Sequence, residues 1–119
     1  MEQNINLIVN EILRQACASG EINFVKCALK SRGVDVNERG ESPHLKTPLH
    51  LAAGHGHIKI CRLLLKQKNI ERYAVDGSGI YQPIHLAATG GYVDVVRLFL
   101  TGQSAIVKQN SPSVGLFTL

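Results

Sequence analysis

Five histidines and three cysteines are the residues here whose chemistry could support a metal site or a nucleophile. His50, His55 and His57 lie close together, and imidazole is a common zinc ligand. A structural zinc site, however, takes its ligands from closely spaced cysteine, histidine or carboxylate groups, and no carboxylate or thiolate accompanies His55 and His57 at such spacing. No metal is expected. A cysteine nucleophile needs a partner histidine and a depressed pKa. Cys17, Cys27 and Cys61 each sit in an apolar, helix-like stretch, none in a CxxC pair, so all three read as buried structural residues. The chain shows no acid pair, nucleophile elbow or phosphate-cradling glycine loop, and Gly77 and Gly79 are placed to serve turns. Neither catalysis nor a cofactor is expected. Lys59, Arg62, Lys66 and Lys68 make a basic run that either attracts an acidic partner or forms a solvated helix face.

The elements that carry these residues are set first by size and composition. A length of 119 residues suits one domain, and 45% apolar with 18% charged residues is enough to bury a core. A net charge of +4 from scattered basic residues allows nucleic-acid binding without indicating it. The first residues, MEQNINLIVNEILRQA, lack the apolar core of a signal peptide, and no run approaches the roughly 20 residues of a membrane span. With three unpaired-looking cysteines, a reducing, cytoplasmic setting is expected.

Internal repetition organises the rest. TPLHLAAGHGHIKICRLLL (Thr47 to Leu65) aligns without a gap on QPIHLAATGGYVDVVRLFL (Gln82 to Leu100), with His50 and His85 separated by 35 positions. A degenerate earlier copy runs from Ile12 to Asn37, its Gly20 preceding Gly56 by 36. Each copy reads as a short helix, a glycine turn and a second helix. Thr47 can cap the first helix of the middle copy, Pro48 suits its first position and Gly56 ends it. Ala52 and Ala53, echoed by Ala87 and Ala88, let helices approach closely, while Ile60, Leu63 and Leu64 form the apolar stripe of the second helix. A helix pair that cannot bury its stripe alone must stack on its neighbours, and about three such units are the minimum for stability.

The TPLHLAA run, the GH at Gly56 and His57, the RLLL at Arg62 to Leu65 and the VDVN at Val34 to Asn37 together resemble the ankyrin-repeat signature, over approximately Ile12 to Asn110. The resemblance implies an all-α repeat solenoid of paired antiparallel helices joined by hairpin-like fingers. It also implies hydrogen bonds from His50 and His85 that tie neighbouring fingers together. One domain over 1–119 is expected, with repeats at about 5–46, 47–81 and 82–110, and 111–119 as a tail or the start of a fourth. The fingers at 37–47 and 71–82 are longer than the family's usual ones. Gln82 stands where threonine is usual, removing a hydroxyl cap. The first copy lacks TPLH, as suits a terminal repeat facing water on one side. Beyond it all, either the chain is a fragment of a longer protein or Val114, Leu116, Phe117 and Leu119 fold back over the third repeat.

The resemblance further implies a module that binds another protein through finger tips and the concave face of the first helices. Carried over by alignment, the partner-binding residues are Glu38, Arg39, Glu41, His44 and Lys46 in the first finger. In the second they are Arg72, Tyr73, Asp76, Ser78, Ile80 and Tyr81, with His55 and Thr89 at the helix exits. Tyr73 and Tyr81 are the best anchors, since tyrosine joins a large apolar area to a polar tip; Tyr81 could instead pack on the adjacent finger. A scaffold or adaptor is the leading reading. The alternatives are the N-terminal recognition region of a larger protein and a microbial effector acting in a host cell. End-to-end self-association through the C-terminal end is a further expectation.

Overall fold

The computed structural model describes residues 2–101 of the chain; the expectations about a folded-back tail and a fourth repeat, on Val114 to Leu119, lie outside the described residues. Six helices form three pairs: α1 (Glu2–Ser19) with α2 (Ile22–Leu29), α3 (Pro48–Gly54) with α4 (Ile58–Leu65), and α5 (Pro83–Thr89) with α6 (Val93–Thr101). The first helix of each pair packs on the next, α1 on α3 on α5, and the second helices follow in a parallel layer, α2, α4, α6. This is the all-α repeat solenoid that the periodicity requires, and no strand occurs among the described residues.

The core lies between the two layers. Leu13, Leu49, Ile60, Leu64, Val25 and Val95 are fully or almost fully buried there, with Ala52, Ala53 and Ala87 holding the close approaches. Ala88 does not share that role: it is exposed, because no described helix pair stacks beyond α5. Leu63 is likewise only half-buried, and the second-helix core position is Leu64.

The helix starts follow the chemistry of their first residues. Thr47 Oγ1 accepts the His50 backbone N–H at 3.2 Å, Nδ1 of His50 accepts the Thr47 N–H at 3.2 Å, and Pro48 fills the first helical position. At α5 the side chain of Gln82 makes no capping bond, yet the helix begins at Pro83 all the same. Nδ1 of His85 takes the Gln82 N–H at 2.9 Å, so the histidine and the proline suffice where the hydroxyl is missing.

The turns of the first two helix pairs are each roofed by an aromatic ring from the following repeat. Gly56 has φ +74, and a Cβ there would lie 2.5 Å from the Tyr92 ring. His57 occupies the position 35 before Tyr92 and covers Gly20 in the same way: a Cβ on Gly20 would lie 2.8 Å from its ring, and Nε2 of that ring lies 3.0 Å from the Ala18 carbonyl.

The first repeat differs from expectation. Its first helix is 18 residues long against 7 in α3 and α5, so the N-terminal residues extend the helix rather than precede it. Its outer end is apolar rather than polar: Ile5, Ile8, Ile12 and Phe24 are all exposed.

Candidate functional site

The two fingers that project from the stack carry eleven of the thirteen residues assigned to partner binding from the sequence. Each finger is closed at its neck by an equivalent backbone bond, Gly40 N–H to the Lys46 carbonyl at 2.8 Å in the first and Asp76 N–H to the Tyr81 carbonyl at 2.9 Å in the second. The tips, 41–45 and 77–80, are what those bonds enclose. Within the second tip, Asp76 accepts from the Ser78 hydroxyl at 2.5 Å and from the Ser78 N–H at 3.0 Å. The serine hydroxyl holds the Asp76 carboxyl below its ordinary pKa, so it stays ionised.

The second finger is braced against the first. Asn37 donates its amide to the Asn69 carbonyl at 2.8 Å and accepts the Glu71 N–H at 2.9 Å. Arg39 donates to the Val75 carbonyl, and Gly77 N–H donates to the His44 carbonyl at 2.7 Å. Gly77 therefore serves a close approach rather than a turn, since a Cβ there would fall 1.8 Å from the Pro43 carbonyl oxygen. The turn itself is made by Gly79, whose φ is +79.

His50 completes the bracing from below. Its ring is fully buried, and Nε2 lies 2.8 Å from the Tyr81 carbonyl. Since Nδ1 accepts the Thr47 N–H, the proton sits on Nε2 and is donated to Tyr81. Burial lowers the His50 pKa, and the Tyr81 hydrogen bond opposes that only in part, so the imidazole is neutral. The tie between neighbouring fingers implied by the resemblance is present at His50.

Against this frame the assigned residues divide. Glu38 is half-buried and pairs with Arg14 at 2.6 Å. Arg39 is committed to the Leu45 and Val75 carbonyls. Glu41 and His44 are exposed and Lys46 is half-buried; together with Glu11, Arg14, Gln15 and Leu51 they line an open groove of about 540 Å³ between α1, α3 and the first finger. In the second finger Tyr73, Ile80 and Tyr81 are 66%, 63% and 45% exposed. Arg72 lies 5.8 Å over the Tyr73 ring, and its Nε and Nη2 are buried with no hydrogen-bond partner among the described residues. The Tyr81 ring meets His85, at the start of α5, edge-on at 6.2 Å, while the Tyr81 carbonyl ties the finger to His50 of α3. His55 and Thr89 are exposed and bond back to the turn before them, His55 Nδ1 to the Leu51 carbonyl at 2.8 Å and Thr89 Oγ1 to the His85 carbonyl at 2.9 Å.

Arg14 and Asn37 were missed as organisers of this surface. Arg14 occupies in the first copy the position of His50, 36 residues on, and a charged residue in place of that histidine was the available signal. It joins Glu11 and Glu38 in the ion pairs found among the described residues.

The cysteines hold no reactive thiolate in the core: burial pushes Cys17 and Cys61 up to about 12. Cys27 is exposed, contrary to its reading as buried, because it shares the outward repeat position of the half-buried Leu63. Among the described residues no group of three or more histidine, cysteine or acidic side chains is gathered to hold a metal, and no helix is long and apolar enough to cross a membrane.

A family model described as ankyrin repeats, in three copies, matches residues 13–111. The chain belongs to the ankyrin-repeat family. Ankyrin repeats are in general protein–protein interaction modules, and the family is typically non-enzymatic.

Proposed function

We propose that this chain is an adaptor that binds a partner protein through its second finger and the inner-helix groove beside the first. The observation that carries the reading is the contrast between exposure and bracing at one place. Tyr73, Ile80 and Tyr81 leave large apolar surface in solvent, on a finger whose backbone is tied down by Asn37, Gly77 and His50. A rigid loop that presents aromatic side chains loses little entropy on binding, and tyrosine is enriched among residues that dominate interface energies. The groove beside Arg14, Lys46 and Leu51 offers mixed charge with one apolar wall, suited to a side chain or short segment of the same partner.

A photoreactive residue in place of Ile80 would capture the protein bound at the finger, and its affinity could then be measured against the unmodified chain. Tyr73→Ala/Tyr81→Ala is expected to weaken that affinity at least about tenfold, roughly 1.4 kcal/mol, with an unchanged melting curve. Unaltered affinity in a folded double variant would refute the assignment.

A further inference from the structure

Sorting the charged side chains by layer separates them by sign. The second helices and the short loop after each, residues 22–32, 58–69 and 93–101, hold eight lysines and arginines and a single acid, Asp94. The first helices and fingers, over the rest of 2–101, hold eight acids and four cations. A modest net charge of +4 thus conceals a strongly basic outer layer and an acidic inner one.

The outer cations are also in register. Lys26, Arg62 and Arg97 share one position of the repeat, Lys30 and Lys66 a second, Arg32 and Lys68 a third. All seven are exposed, and α4 packs between α2 and α6, so the first set makes a row across all three outer helices. Helices in contact lie about 8–10 Å apart, which gives the row a length of roughly 20 Å. A face shaped only by solubility carries both signs interspersed, and opposite charges three or four residues apart would stabilise each helix. On α4, Lys59 and Arg62 are instead followed by Lys66 with no acid between them. The ion pairs among the described residues belong to Arg14, on the inner side, so folding leaves the rows unneutralised.

We propose that the outer face of α2, α4 and α6 is a second interaction surface, which takes an extended acidic polypeptide segment laid across the cation rows. The spacing favours this occupant. An extended chain advances about 3.3 Å per residue, so an acid at every third residue meets one outer helix after another. Single-stranded nucleic acid is held by aromatic platforms, and membrane surfaces by an apolar face beneath the cations. No aromatic platform accompanies these rows, and the large exposed apolar side chains beside them, Val93 and Leu100 about Arg97, are confined to α6 and do not run beneath the cations of α2 and α4. Phe24, the exposed aromatic residue of α2, shares the repeat position of Ile60 and Val95, which are buried by the preceding repeat, so it faces along the stack and away from the cations.

The test uses the full chain and a fluorescent peptide of about 12 residues with glutamate at every third position, beside its glutamine analogue, a mixed-sequence DNA duplex, and phosphatidylserine-containing vesicles. The glutamate peptide is expected to bind at least tenfold more tightly than the analogue, with affinity falling about tenfold from low to physiological salt. Arg62→Glu/Arg97→Glu is expected to reduce binding at least about tenfold, and Arg62→Gln/Arg97→Gln, the gentler change at the same exposed positions, by an intermediate factor. Failure of the peptide to bind, full affinity in either folded variant, equal binding of the analogue, or tighter binding to duplex or vesicles would each overturn the proposal.

Discussion

The start of α3 and the start of α5 carry nearly the same four residues, Thr47-Pro48-Leu49-His50 and Gln82-Pro83-Ile84-His85, yet the structure uses them differently. At α3, Thr47, Leu49 and His50 are all buried, and His50 reaches the next finger. At α5, Ile84 is half-buried and His85 exposed, and the Nδ1 bond of His85 stays within its own helix start. The same holds one turn further on, where Ala53 is fully buried and its counterpart Ala88 is exposed. The motif sets the local hydrogen bonds, whereas burial is set by whether a neighbour is stacked on both sides. In a solenoid, then, two residues of one type at one repeat position have different energetic weight.

Paired substitutions can break that comparison. Leu49→Ala is expected to cost about 2–5 kcal/mol through the cavity it leaves, whereas Ile84→Ala at the half-buried counterpart should cost about half as much. Urea unfolding of the two variants decides it, and equal losses would mean that stack position is not the cause. His50→Ala should come next, at about 2–3 kcal/mol, since it leaves the buried Thr47 N–H without its partner and takes away one of the two donors to the Tyr81 carbonyl. His85→Ala should lose about 1 kcal/mol, the worth of a helix-start bond.

Acid provides a third comparison. The His50 pKa is lowered by burial from its ordinary 6.5, so the unfolded chain takes the proton more readily than the folded one. The stability held by neutral His50 is complete above that ordinary value and is lost as pH falls through the lower folded one. Unfolding midpoints measured from about pH 7.5 down to about pH 5 should therefore fall, and the fall should be shallower in His50→Gln. Identical profiles for the two proteins would remove His50 as the source. The smallest effect is a gain: Gln82→Thr should add about 0.5–1 kcal/mol by restoring the hydroxyl cap at α5, read as a small rise in melting temperature.

The repeat period, the helix pairs and the capping residues were legible because each depends on local chemistry that recurs every 35 or 36 positions. What escaped depends on neighbours. Cys27 lies in an apolar stretch, but its position in the repeat faces outward. Gly77 looks like a turn residue, and only the approach of Pro43 from the other finger reveals its purpose. The length of α1 was foreshadowed by apolar residues at 5, 8, 9, 12 and 13, a helical spacing that the missing TPLH signature obscured. At the candidate site, alignment found the finger tips, while the bracing by Arg14 and Asn37 required their contacts.

The rings that roof the turns have a consequence for the order in which the protein is made. Gly20 is covered by His57, and Gly56 by Tyr92, so each turn is closed by a residue synthesised about 36 positions later. As the chain leaves the ribosome, N-terminal end first, each of the first two helix pairs must wait with its turn uncovered until the next pair has begun to emerge. Assembly therefore proceeds as a relay in which the newest repeat finishes the one before it.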